Sequence, residues 1–132
     1  MLIEKEISSS IREEFIDITH TVRKAVEESG IHDGLVTVFV PHTTAGVTIN
    51  ENADPDVRTD IIHGLGSFGF ETMDFSHVEG NSSAHIKSTL TGSSVTVILK
   101  EGELLLGTWQ GIYFCEYDGP RRRKVQIKIS GS

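Results

Sequence analysis

One stretch limits the possible folds more than any other. Residues 35–40 read Leu-Val-Thr-Val-Phe-Val, a short run rich in β-branched residues and apolar on both faces, with Gly34 before it and Pro41 after it. Such a run is typical of a strand inside a sheet rather than at its edge. It therefore predicts a central strand, with other strands on either side.

Further strands are predicted around this one. In residues 124–129, Val125, Ile127 and Ile129 alternate with polar residues and should face inward. Residues 104–118 predict one long strand or two, broken near Gly107 and Gly111. Similar patterns occur in residues 2–7, 44–51 and 94–99, and turns are indicated at residues 101–102 and 118–120. We expect strands 35–40 and 44–51 to be neighbours in one sheet.

Three helices are expected. The first begins near Asp17 and ends at Gly30, with an apolar stripe formed by Ile18, Val22, Ala25 and Val26. The second begins at Asp54-Pro55-Asp56, an acid followed by proline, and closes at Gly64 and Gly66. The third is short, residues 83–90, with Asn81 or Ser82 as its cap. Residues 67–82 predict a long loop.

These elements and the composition predict one α+β domain over residues 1–132. A net charge of −7 argues against general binding to nucleic acid. The sequence has no membrane-spanning stretch and no signal peptide, so we expect a cytoplasmic protein. The lone Cys115 lies in an apolar run and should be a buried thiol without a disulfide.

Three of the six histidines occupy positions that suggest a site. His42 follows the predicted central strand, His77 lies in the long loop, and His85 lies four residues after Asn81 in the short helix. Histidines from separate segments can converge on a zinc-like metal. Spacing alone favours structural or surface roles, since no His-Glu-x-x-His pattern, phosphate loop or nucleophile elbow is present.

The basic run Arg121 to Lys124 has two interpretations. A solvated strand end is favoured by its composition. The alternative is a local site for phosphate or carboxylate.

Three blocks of the sequence resemble the YjbQ family. They are Pro41 to Val57, Asn81 to Leu90 with Ala84-His85-Ile86-Lys87-Ser88, and Gly102 to Gly119 with Leu106 to Ile112 and Glu116. The resemblance spans nearly the whole chain. It implies an α+β fold in which mostly antiparallel sheets form a sandwich-like core, with two main helices and one short helix. It also implies assembly as a homotrimer and the label of a secondary thiamine-phosphate synthase. That transferase joins a pyrimidine methyl diphosphate to a thiazole phosphate and releases pyrophosphate.

The resemblance also implies which residues form the site. The expected metal ligands are His42, His77 and His85. The expected catalytic residues are His42, His85, Glu51 and Glu116. The expected contacts to a small phosphorylated substrate are Asn52, Asp54, Trp109, Gln110, Arg121 and Arg123.

Several functions are compatible with this set. A transferase would need a divalent metal, zinc-like on the histidines or magnesium on the acids if pyrophosphate is released. A zinc-type hydrolase fits the same histidines. A trimer that binds a metal or an anion without turnover is the third hypothesis. In the fourth, the motif residues only maintain turns and assembly.

Overall fold

The computed structural model describes residues 1–77 and 80–132. This part of the chain forms two antiparallel sheets and three α-helices, which confirms the predicted α+β class. The strands are β1 (Leu2–Ser8), β2 (Glu14–Asp17), β3 (Gly34–Phe39), β4 (Ala45–Glu51), β5 (Ser94–Lys100), β6 (Glu103–Leu104), β7 (Gln110–Glu116) and β8 (Arg122–Gly131). The helices are α1 (Thr19–Ser29), α2 (Pro55–Gly66) and α3 (Ser82–Thr91). None of the helices in these residues has the length and apolar character needed to cross a membrane.

The larger sheet has the strand order β1-β8-β3-β5-β6, so β3 is central as predicted. Its inner face is apolar and fully buried at Val36 and Val38, and the inward residues predicted for β8 are fully buried as well. The outer face is different. Leu35 and Ile98, which lie opposite each other on β3 and β5, are both exposed within the single chain.

The smaller sheet has the order β2-β7-β4, and this corrects the predicted pairing of strands 35–40 and 44–51. The chain crosses from one sheet to the other between β3 and β4. Val40, Ala45 and Val47 consequently enter one core between the two sheets. In a sequence, a short connection between two strands resembles a hairpin turn. Only the burial of β3 and β4 against the same core shows that the chain instead crosses from one sheet to the other.

The helices complete the layers. Val22, Ala25 and Val26 of α1 join the core between the sheets. On the other face of the smaller sheet, α2 and α3 cover a second apolar cluster that contains Tyr113 and Cys115. Burial raises the pKa of the Cys115 thiol, in keeping with the predicted buried cysteine.

Local chemistry explains where the helices begin and end. Gly30 adopts a left-handed conformation (φ 68°) at the end of α1, as predicted. The Asp54 carboxylate accepts a hydrogen bond from the Asp56 amide at 2.9 Å and caps α2, also as predicted. Asn81 precedes α3, but its side chain makes no capping hydrogen bond.

Two predicted segments look different in detail. The loop predicted over residues 67–82 contains a 3-10 turn at Phe70–Thr72, and its residues 78 and 79 lie outside the described residues. The region predicted as one or two strands divides into β6 and β7, with the break at residues 105–109. Gly111 lies within β7, where the Asn52 side chain leaves no room for a Cβ.

Candidate functional site

A cleft of about 720 Å³ opens where the two sheets and α3 meet. Five of the residues predicted from the sequence line it: His42, His77, His85, Arg121 and Arg123. The crossing between β3 and β4 supplies His42 and α3 supplies His85. The turn before β8 supplies Arg121, and the start of β8 supplies Arg123. Backbone topology therefore brings together residues that are far apart in the sequence.

His42 is held as a neutral imidazole. The backbone amide of Lys124 donates a hydrogen bond to its Nε2 at 2.9 Å, so this nitrogen carries a lone pair rather than a proton. Burial, and then the charge of Arg123, lower the pKa of His42. The proton of the neutral ring accordingly lies on Nδ1, which makes His42 a hydrogen-bond donor.

His77 and His85 form a pair on the opposite wall. Their rings pack edge to face, with centroids 5.4 Å apart and planes at 87°. Asn81 lies four residues before His85 and lines the same cleft, as the helical spacing predicted. Two imidazoles this close can act on one bound group.

Arg123 is locked in place by a buried carboxylate. The Glu116 side chain is fully buried and Arg123 is only 3% exposed. Arg123 Nε donates to Glu116 Oε1 at 2.9 Å, and Nη2 donates to Thr44 Oγ1 at 2.8 Å. Although burial raises the pKa of Glu116, hydrogen bonds from Arg123 and Ser9 hold it below its ordinary value. The ionised Glu116 carboxylate lies behind the cleft, where it can hold Arg123 in position. The catalytic role predicted for Glu116 stays a prediction.

Arg121 is fixed differently. Its Nη2 donates to Asp118 Oδ2 at 2.9 Å, and Asn81 Nδ2 donates to the same oxygen at 3.0 Å. The side chain of Arg121 is 48% exposed at the cleft. Asp118 thus links the turn before β8 to the start of α3.

The basic run divides between the two predicted roles. Arg121 and Arg123 line the cleft. Arg122 and Lys124 turn toward β1, where they pair with Glu6 and Glu4 at 3.8 Å and 3.5 Å. Strand alternation separates them, since neighbouring residues of a strand face opposite sides.

The other predicted residues lie elsewhere. Glu51 pairs with Gln110 at the far end of β4 and β7, whereas Ala45 pairs with Glu116 at the cleft end. Six residue steps of a strand separate the two ends by about 20 Å. The residues at the far end are Glu51, Asn52, Asp54, Trp109 and Gln110. Within one chain they do not meet the histidines.

The histidines do not form a complete metal site in this arrangement. Among residues 1–77 and 80–132, no three His, Cys, Asp or Glu side chains gather closely enough to hold a metal ion. The donor chemistry agrees, because the Nε2 lone pair of His42 accepts the Lys124 amide and its Nδ1 carries the proton. His77 and His85 would provide two ligands, and a structural or catalytic zinc ion takes at least three from protein.

Sequence reasoning missed several lining residues. Thr43, Thr44 and Ser93 contribute hydroxyl groups to the cleft. Thr43 and Thr44 directly follow His42 in the block that carries the family resemblance, and this position could have identified them. No sequence pattern identifies Ser93, because it reaches the cleft only through the pairing of β3 with β5.

Comparison with other proteins assigns the chain to a family. The family model described as UPF0047 protein YjbQ-like matches residues 4–132. A UPF0047 protein of Methanocaldococcus jannaschii is 54% identical over 131 residues, which cover 99% of this chain and 95% of the relative. The chain belongs to the YjbQ/UPF0047 family. YugU of Bacillus subtilis, another UPF0047 protein, is 49% identical, with 99% of this chain and 100% of YugU covered.

Solved structures of the YjbQ/UPF0047 family share the fold. An uncharacterized conserved protein of this family from Clostridium acetobutylicum superposes with a TM-score of 0.94 at 58% identity, covering 97% of this chain and 99% of its own. A YbjQ-like protein of unknown function from Sulfolobus solfataricus gives 0.95 at 32% identity, covering 100% and 97%. These solved structures thus share the overall fold of this chain.

Proposed function

We propose that the cleft binds the phosphate group of a phosphorylated small molecule and that its histidines transfer protons to or from that molecule. The observation that carries the proposal is the lining of the cleft. Among the residues that the structure describes, the lining contains two arginines and three histidines and no carboxylate, in a chain whose net charge is −7. A local excess of cationic and donor groups in an acidic protein favours a bound anion.

The donors that remain unused support this proposal. Within the described residues, the Nη1 groups of Arg121 and Arg123 make no hydrogen bond, although the other nitrogens of both guanidinium groups are engaged. The Nδ1 proton of His42 adds a neutral donor. Guanidinium groups with one edge fixed and another open are suited to phosphate oxygens, because their geometry is set before the ligand arrives.

The reaction we propose is the thiamine-phosphate synthase reaction implied by the family resemblance. When pyrophosphate leaves the pyrimidine, its developing negative charge needs donors that are already oriented. Arg121 and Arg123 would supply them while the thiazole nitrogen forms its bond to the pyrimidine methylene and the carbon–oxygen bond to pyrophosphate breaks. One imidazole of the His77–His85 pair would deliver a proton to the leaving pyrophosphate. No step of this proposal requires a metal ion.

Binding is tested with inorganic phosphate and pyrophosphate by isothermal titration calorimetry. Arg121→Ala should weaken binding about tenfold, because a hydrogen bond to a charged group contributes roughly 1.5–3 kcal/mol. Arg122→Ala is the matched control, since it removes the neighbouring arginine that faces Glu6 instead. Equal affinities of the two variants, or no binding to the wild type, would contradict the proposal.

Turnover is tested separately by following thiamine phosphate formed from the two phosphorylated substrates. We expect His85→Ala to lose turnover while its melting temperature stays close to that of the wild type. A wild-type protein that binds phosphate but forms no product would instead be the anion-binding protein without turnover.

Elemental analysis of extensively dialysed protein tests whether the histidines bind a metal ion. The proposal expects protein without a stoichiometric transition metal. Zinc near one equivalent, lost in His77→Ala and His85→Ala, would show a rearranged histidine centre and favour a zinc-type hydrolase.

Assembly as a homotrimer is the remaining part of the proposal and comes from the family resemblance. The exposed apolar side chains on the outer face of the larger sheet support it. Leu35, Phe39 and Ile98 are 50%, 41% and 56% exposed there, and a partner subunit would cover them.

A further inference from the structure

A buried lysine lies directly behind the cleft. Lys87 belongs to α3, two residues after His85, and only 1% of its side chain is exposed. Its Nζ lies 2.6 Å from Glu71 Oε1 and 3.0 Å from Glu13 Oε2. An ammonium group loses its hydration when buried, and two carboxylates at these distances offset that loss.

The first of these carboxylates belongs to the segment that carries His77. We call residues 67–77 the His77 arm. None of them is fully buried. In the described part of the chain, the hydrogen bonds of residues 67–76 reach no further than four residues along the chain, except the bond from Lys87 to Glu71. The contact of Glu71 with Lys87 therefore connects this exposed arm to the protein interior.

The arm touches α3 at two points. Glu71 meets Lys87, and six residues later the ring of His77 packs on the ring of His85. Side chains two positions apart on a helix point to nearly opposite sides, since each residue turns the helix by about 100°. The arm thus passes around the start of α3, from the side of Lys87 to the side of the cleft.

We propose that the Glu71–Lys87 ion pair positions His77 in the cleft. The proposal rests on the proposed function, in which His77 acts on the bound phosphate compound. Glu71 and Lys87 are positioning residues, because neither lines the main cleft. Without the ion pair, the described hydrogen bonds of residues 67–76 would all be local, within four residues along the chain.

The second carboxylate provides a matched control. Glu13 pairs with the same Nζ but lies between β1 and β2, outside the arm. Glu71→Gln and Glu13→Gln each remove one negative charge beside Lys87, and each keeps the size of the glutamate side chain. A purely structural role of Lys87 would make the two variants alike, whereas a positioning role predicts that Glu71→Gln affects His77 and Glu13→Gln does not.

The experiment combines two readouts on both variants. The ring signals of His77 and His85 are recorded by NMR in the ligand-free protein, and inorganic phosphate is titrated calorimetrically. We expect Glu71→Gln to shift both ring signals and to weaken phosphate binding about tenfold, as loss of a group that orients a ligand-contacting histidine does. Glu13→Gln should leave both readouts at wild-type values.

The opposite results are equally clear. Unchanged ring signals in Glu71→Gln, or equal shifts in both variants, would overturn the positioning role. Glu71→Asp keeps the charge on a shorter side chain and should give intermediate shifts of the ring signals. This variant can therefore test the positioning role if Glu71→Gln folds poorly. If the wild type bound no phosphate, the proposed function would fail, and the ring signals would still decide whether Glu71 positions His77.

Discussion

At the scale of single residues, the cleft depends on charges that are buried behind it. Glu116 and Arg123 are almost inaccessible to solvent, yet each has several hydrogen-bond partners. A buried pair of this kind contributes little net stability, but the loss of one partner leaves an uncompensated charge. The pair therefore fixes the open edge of Arg123 toward the cleft more than it strengthens the fold.

A double-mutant cycle tests this pairing. Glu116→Gln and Arg123→Met should each lower the free energy of unfolding by about 3–5 kcal/mol, because each leaves a buried group without its partner. The double variant should cost clearly less than the sum of the two. Urea unfolding of the four proteins measures the coupling, and additive effects would mean that the two charges act independently.

The protonation of His42 gives a prediction that depends on pH. The pKa of His42 is lowered from the ordinary histidine value, so the ring is neutral at pH 7 and gains its proton only as the pH falls below that value. Nitrogen-detected NMR should show the tautomer with the proton on Nδ1 and a titration of His42 below the ordinary histidine value. In Arg123→Met the titration should move upward, because one of the charges that oppose protonation is gone. A Nε2 proton at neutral pH would contradict the assignment.

At the scale of secondary-structure elements, β4 places residues of the family motif at both ends of the smaller sheet. The strand begins at Ala45, three residues after His42, and ends at Glu51, so one stretch of sequence delivers residues to both ends of the smaller sheet. Its start packs against the end of α3, where a Cβ on Gly46 would lie 2.6 Å from the carbonyl oxygen of Gly92. This close approach sets α3, and with it His85, against the cleft.

Two glycine substitutions should therefore have opposite signs. Gly46→Ala should destabilise the protein by about 1–3 kcal/mol, because β4 and α3 must separate to admit the methyl group. Gly64→Ala lies within α2, where the new Cβ would meet nothing within 4 Å, and it should stabilise by about 0.5–1 kcal/mol. Thermal and urea unfolding compare both with the wild type. A stabilising Gly46→Ala would refute the close contact.

At the scale of the whole molecule, the outer face of the larger sheet carries apolar side chains that the described part of the chain leaves exposed. Leu35 and Ile98 stand side by side on its outer surface, and Leu105 is exposed nearby, its amide bonded to the Ile98 carbonyl. Exposed apolar side chains that adjoin one another favour association with another protein surface. The proposed homotrimer would cover this face.

Sedimentation velocity on matched variants tests the assembly. Ile98→Lys should convert the proposed trimer into monomers, because it places a charge where the sheet face would be buried. Ile11→Lys is the control, since Ile11 is 58% exposed but lies outside the sheet. A monomeric wild type, or a trimer that persists in Ile98→Lys, would rule out this face as the contact.

Much of the fold could be predicted from the sequence because the signals are local. The apolar run at residues 35–40, the cap at Asp54 and the left-handed Gly30 depend on neighbours a few positions away, and all were confirmed. The choice between pairing β4 with β3 or with β7 is not local. It depends on which faces are buried together, and the predicted pairing was wrong for that reason.

The same distinction applies to the candidate site. The sequence by itself determined which histidines and arginines could act, since their types and motifs carry that information. Tertiary structure alone decided that Arg123 is held by Glu116 and that Glu51 lies at the end of β4 away from the cleft. It also decided that Lys87 pairs with Glu71 of the His77 arm. These relations arise from strand register and from the burial of charges, which join residues that have no pattern in common along the chain.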